Sequence, residues 1–299
     1  SNLILILQGY VERTMSASNL FPSIDPYETG RLAVDALHEI YWEKSGNPNG
    51  IPVLFLHGGP GAGATKQHRR FFDPESYLII IFDQRGAGRS TPLGEITDNT
   101  TPHLIADMEL LRQHLTIDSW ILFGGSWGSS LAIAYAEQYP ERCKSLVLRG
   151  IFLCRRHEIK WFLWGMKIFF PEAWDAFVGH LPTKERIDLL GNYYRRLTDP
   201  DPDIHMPAAQ AWTLYEGSCS TLLPDPEALV TLTEPNAALG LARIEAHYFT
   251  HNMFIEEGAL LAHARKLETI PGVIVQGRYD MVCPIASAAE LSSAWPEAV

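Results

Sequence analysis

Five short apolar runs, each closing on a glycine-rich or polar turn, set the strongest limit on how this chain folds. They are "IPVLFLHGG" (51–59), "YLIIIFDQRG" (77–86), "SWILFGGS" (119–126), "SLVLRGI" (145–151) and "GVIVQGRYD" (272–280). Near-continuous Val, Ile, Leu and Phe suit strands covered on both faces, which is the condition of a parallel sheet. Helical patterns at 101–115 and 128–142 lie between them, and residues 30–46 read as a hairpin-like start. Alternating strand and helix predicts an α/β fold, a mostly parallel sheet with helices on both sides. With 299 residues, 46% of them hydrophobic, the chain can bury one such core together with an inserted subdomain.

Residues 152–265 break the rhythm. They are rich in aromatic residues ("KWFLWGMKIFFPEAWDAF", "NYYRRL", "AWTLYEG") and prolines and show no convincing strand. They are expected to form a helical cap over the C-terminal ends of the strands, where open α/β sheets bind ligands. The core then comprises 21–151 and 266–299. Residues 1–20 are read as a poorly ordered leader, with Met15 as a possible true start. Its "LILIL" is too short for a membrane span and lacks the flanks of a signal peptide.

A formal charge of −11 and the absence of long basic runs exclude a phosphate-tracking surface, so nucleic acid is not an expected partner. Cys143, Cys154, Cys219 and Cys283 form no C-x-x-C pair, which suits reduced thiols in the cytoplasm better than a disulfide framework.

Gly124-Gly125-Ser126-Trp127-Gly128 fits G-x-S-x-G. This is the strand-to-helix elbow that strains a serine into an exposed position while the outer glycines remove colliding side chains. The preceding apolar strand and following Ala-rich helix supply the required context, so Ser126 is the candidate nucleophile. Its oxyanion needs two backbone N–H donors. One is that of Trp127; the other is assigned to Gly59 in "HGGPGAG", since Pro60 has no N–H. His57, directly after a buried strand, is expected to brace that loop. With this elbow the triad follows in the order serine, acid, histidine, and Asp280, just past the strand after the cap, is the candidate acid. Asp83, which ends an earlier strand, is better explained by a structural pair with Arg85 or by a local cap.

Taken together, "HGGPGAG", "DQRGAGRS", "GGSWGSSLAIAYAEQYPE", "LVLRGIF", "ARIEAHYF" and "GRYDMVCP" closely resemble the proline iminopeptidases, serine peptidases of the α/β-hydrolase fold. The likeness runs from about residue 21 to the end of the chain. It implies release of an N-terminal proline from peptides by way of an acyl-enzyme, without metal or organic cofactor. It also matches Ser126 to the nucleophile and Asp280 to the triad acid. Glu216 in "AWTLYEG" and Glu245 in "ARIEAHYF" match the family's readers of the substrate's free amine. A secondary ammonium entering a dry pocket loses its water, and paired carboxylates replace it. Phe152, Phe162 and Phe249 match positions that line the pyrrolidine pocket, with Phe162 standing where relatives also carry tyrosine.

Three rival readings follow from the same residues. His247 and His251 are four apart and would share a helix face, but without H-E-x-x-H or a third ligand they make no zinc site. An acyl esterase or lipase-like hydrolase of the same fold would share everything except the glutamate pair. A non-catalytic binding protein would keep the fold and lose the chemistry. This last reading draws on the histidines: all eleven precede Asp280. The family places its histidine some thirty residues after the acid, beyond one further strand, whereas this sequence stops at Val299 before that strand is expected to form. The expectation is therefore a core lacking its last strand and helix, cut from an active parent, with the base beyond Val299 and almost no turnover by the chain itself.

Overall fold

The computed structural model describes residues 20–299; most of the expected leader lies outside the described residues. All five apolar runs are strands of one seven-stranded sheet in the order β1-β2-β4-β3-β5-β6-β7. β1 (Glu28–Ala33) and β2 (Glu39–Gly46) form the antiparallel start. β3 (Ile51–Leu56), β4 (Tyr77–Phe82), β5 (Trp120–Ser126), β6 (Cys143–Ile151) and β7 (Gly272–Val275) run parallel to one another. The side-chain period of two divides the central strands between two cores. Val53, Phe55, Ile79 and Ile81 face one way with Phe72. Leu54, Leu56, Ile80 and Phe82 face the other, into the larger cluster.

On that larger side lie α1 (Thr101–His114) and α2 (Trp127–Gln138). The latter stops at Gln138 rather than reaching residue 142, two residues before Pro140, which disfavours helix at its predecessor. Between β6 and β7 the described chain is helical, with α3 (Pro171–Gly179), α4 (Leu189–Leu197), α5 (Pro202–Cys219), α6 (Pro226–Leu232) and α7 (Pro235–Thr250). Shorter helical turns join them, among them Arg156–Lys160 and a π turn over Trp161–Gly165. The buried aromatic side chains of this segment, including Phe177, Tyr193, Trp212 and Tyr215, stack on one another. After β7 the chain closes on α8 (Ile285–Ala294).

Ala298 and Val299 lie against β7: Val299 N–H donates to Gly272 O at 3.0 Å and Ile274 N–H donates to Val299 O at 2.9 Å, an isolated bridge outside the seven strands. Of the two readings of Asp83, the local cap is the one found; its ion pair is with Arg89, at 2.7 Å, and not with Arg85. The turn after β4 sends Asp83 towards the 62–64 loop, where it also caps the N–H groups of Ala64 and Arg89. Arg85 leaves towards α1 and is gripped at both ends, by Asp107 and by Asp35.

Candidate active site

Ser126 closes β5 with φ 55° and ψ −126°, a conformation that costs energy for any residue with a side chain. Its neighbours make that turn possible. A Cβ on Gly124 would fall 2.1 Å from Gly128 O, and one on Gly128 would fall 2.2 Å from Leu56 O. Only glycine lets β3, β5 and the start of α2 approach so closely. Trp127 opens α2, and the first N–H groups of a helix have no acceptor within it, so its amide is free of the helix ladder and beside the serine.

The loop after β3 lies against this elbow. A Cβ on Gly58 would stand 3.4 Å from Ser126 Cβ, and Gly59 lines the same cavity as Ser126. His57 holds the loop from within. It is fully buried, its Nδ1 pairs with Gly58 O at 2.9 Å, and its Nε2 accepts from Gln84 N–H at 2.9 Å. Burial pushes its titration down, which favours the neutral ring this pairing requires. Gln84 also donates to His57 O and accepts from Trp127 Nε1, at 3.0 and 2.8 Å. One side chain thus ties together the loops that follow β3, β4 and β5. Sequence reasoning missed it, because a lone glutamine after a strand carries no motif.

Asp280 stands in the turn after β7. Its Oδ1 accepts from the N–H groups of Val282 and Cys283, at 3.1 and 2.8 Å. Gln276 donates to its Oδ2 at 3.3 Å and to Cys283 O at 2.7 Å, and accepts from Ile151 N–H at 2.7 Å. The Asp280 loop is thereby fixed to the end of β6. Gly150 lies between Asp280 and Ser126, since a Cβ there would meet Asp280 Oδ2 at 3.5 Å and Ser126 N at 3.7 Å. Among the described residues no histidine nitrogen is hydrogen-bonded to Ser126 Oγ or to Asp280. His247 and His251 are held by Asn99 O, Tyr194 and the His247 carbonyl, and no described group of His, Cys, Asp and Glu is arranged to hold a metal.

One cavity gathers most of the remaining candidates. Gly59, Ser126, Phe152, Phe162, Glu216, Glu245 and Phe249 line it together, joined by Glu158, Val282 and Cys283. Phe152 is set by the elbow's own helix: Ser129 Oγ accepts from its N–H at 3.3 Å and Ser130 Oγ donates to its carbonyl at 2.6 Å. Phe162 packs edge to face on Phe249 with ring centroids 5.4 Å apart, and its carbonyl accepts from Tyr215 OH. Glu216 projects from α5 and Glu245 from α7, and both line this one cavity. Trp212, one turn before Glu216, donates to Glu245 Oε2 at 2.6 Å. Loss of water pushes Glu216 up to about 7 and Glu245 well above the ordinary carboxylate range. A secondary ammonium with two N–H donors would find two acceptors here.

A match to the α/β hydrolase fold family extends over residues 51–299. A probable proline iminopeptidase from Leptolyngbya boryana is 51% identical over 280 residues, covering 93% of this chain and 87% of that protein. The proline iminopeptidase of Arabidopsis thaliana is 47% identical, covering 96% of this chain and 76% of its own. The chain belongs to the proline iminopeptidases. It is accordingly a peptidase built on the α/β-hydrolase fold. Solved structures of a proline iminopeptidase from Mycobacterium smegmatis (18% identity, TM-score 0.59, covering 91% of this chain and 88% of that one) and of a putative lipase from Acinetobacter baumannii (16%, 0.60, 91% and 81%) share the fold.

For this proline iminopeptidase, sequence reasoning overlooked Glu158 and Cys283. Glu158, in "RRHEIK", reads as a solvated helix residue. In the structure it is buried, accepting from the backbone N–H and guanidinium of Arg155 and from the hydroxyl of Ser287 on α8. Arg155 in turn reaches Glu290. The first turn after β6 is thereby riveted to the helix that follows the Asp280 loop. Among the described residues no helix is long and apolar enough to cross a membrane.

Proposed function

We propose that Ser126 attacks the carbonyl of an N-terminal proline whose ring lies among Phe152, Phe162 and Phe249 and whose ammonium is held by Glu216 and Glu245. The resulting oxyanion is received by the N–H groups of Trp127 and Gly59, and collapse releases the shortened peptide and leaves a prolyl ester on Ser126. Asp280 is the acid that orients an imidazole base in such a triad; that base is none of the described histidines in their observed positions. Water then hydrolyses the ester to free proline.

The observation that carries this reading is the single cavity in which nucleophile, paired carboxylates and aromatic walls meet. The carboxylates set the register. An ammonium bound to them places the first carbonyl, and no later one, at Ser126, which makes the reaction an exopeptidase cleavage. The rest of the peptide is assigned to a cleft of about 540 Å³ lined by Asp280 together with Phe169, Phe170, Arg278 and Tyr279. No cofactor or metal takes part in this scheme.

Calorimetric binding of L-prolinamide and N-acetyl-L-prolinamide to the Ser126→Ala protein tests it. Charge-assisted hydrogen bonds contribute about 1.5–3 kcal/mol, so the acetylated ligand is expected to bind about 10- to 150-fold more weakly. Equal binding, or tighter binding of short acyl esters, would point to an acyl hydrolase instead.

A further inference from the structure

Two carboxylates lining one dry cavity pose a problem that the bound ammonium solves only when it is present. Glu245 is 2% exposed, and Glu216 Oε2 is enclosed without a hydrogen-bond partner among the described residues. No lysine or arginine contributes to the surroundings of either group; each is affected chiefly by loss of water and by the other. Two like charges in one dry site cannot both persist.

We propose that in the empty pocket Glu216 and Glu245 share one proton, and that the ammonium of an N-terminal proline displaces it, so that substrate binding and proton release are a single event. This rests on the reading of the pair as the amine site. The substrate's two N–H groups each need an acceptor, and a proton held between the carboxylates occupies one. That proton leaves to solvent, the pair becomes doubly charged, and the ammonium supplies the opposing charge. No bond to carbon is made or broken.

The other groups facing the pair fit this assignment. Cys219 lies on α5 and Cys283 on the Asp280 loop, and both feel the charge of Glu216. Burial pushes both thiols up, Cys219 to about 12, so neither takes the proton's place as an anion at neutral pH. Glu158 borders the same cavity, but its charge is matched by Arg155. Trp212 Nε1 donates to Glu245 Oε2 only, and Glu216 Oε2 has no partner among the described residues, so oxygens of the pair stay open to hold the proton.

The consequence is selective. As pH falls through neutrality the pair takes up a second proton and the cation binds less well. An uncharged molecule of the same shape meets an intact acid–carboxylate hydrogen bond and does not displace it.

Titration calorimetry of the Ser126→Ala protein with L-prolinamide at pH 8, in buffers of different ionisation enthalpy, counts the protons. About one proton released per ligand bound is expected there, with affinity falling about tenfold per pH unit towards neutrality and more steeply below it. Glu216→Gln, which retains the shape and leaves one carboxylate to ionise alone, is expected to bind with far less proton release. Tight binding with no net proton exchange at pH 8 would overturn the shared proton while sparing the amine site. Failure of L-prolinamide to bind at any pH between 6 and 9 would overturn the amine site and the inference with it.

Discussion

Cys283 holds its sulfur 3.9 Å from the hydroxyl oxygen of Ser126, so the two side chains face each other across one cavity. Anything attached to that sulfur enters the space a substrate carbonyl needs. Burial pushes the thiol up, so thiolate is scarce at neutral pH and modification is slow. N-ethylmaleimide is expected to abolish L-prolinamide binding in step with labelling of Cys283, followed by intact-protein mass. Cys283→Ala is expected to keep its affinity under the same treatment, although Cys143, Cys154 and Cys219 remain. Loss of binding in that variant would move the sensitive thiol elsewhere.

Gly128 tolerates no side chain, because its added Cβ would lie 2.2 Å from backbone at Leu56, which cannot rotate away. Gly128→Ala is expected to lower stability by at least about 1–3 kcal/mol, the usual cost of overpacking a filled interior. Urea unfolding measures it. A midpoint unchanged from the parent would show that β3 and β5 can separate, and with them the elbow.

Glu216 supplies a pH dependence whose sign is fixed by its surroundings. Its titration point rises from 4.5 to about 7 on folding, so the folded protein binds the extra proton between those values. The associated stability is fully present below about 4.5 and is lost as pH rises through about 7. Thermal melts of the unliganded protein and of Glu216→Gln, taken from pH 5 to pH 8, should therefore diverge. The variant gains on the parent as pH rises. Parallel curves would mean that Glu216 is solvated in the folded state.

The histidines bear on turnover. None is hydrogen-bonded to Ser126 Oγ or to Asp280 among the described residues, and loss of the base typically lowers turnover by about 10⁶ in a serine protease triad. The polypeptide of residues 1–299 is expected to release proline from L-proline 4-nitroanilide within about tenfold of its own Ser126→Ala variant. A rate a thousandfold above that variant would bring one of the eleven histidines to Ser126 in the working protein.

The elbow was legible because its causes are local. A buried strand, two glycines where no Cβ fits, and a helix beginning at the next residue all lie within a dozen positions. The sheet was legible for a related reason, since strands covered on both faces leave nearly unbroken apolar runs. Glu216, Glu245 and the three phenylalanines were reached through resemblance alone; as isolated residues they read as solvated helix positions and ordinary packing. Gln84, Gln276 and Glu158 escaped altogether, because a polar side chain acquires its role only from the backbone groups that other segments bring to it. For Asp83 the local cap was legible, whereas its ion-pair partner Arg89, and not Arg85, is chosen by the course of the turn.

The sequence by itself determined the α/β architecture, the strained serine and the place of Asp280 just past the last long strand, since periodicity and backbone sterics act over short stretches. Only the tertiary structure decided that two glutamates 29 positions apart share one dry cavity with Ser126. Loss of water there raises the titration of both carboxyls, and burial is a property of the packed chain.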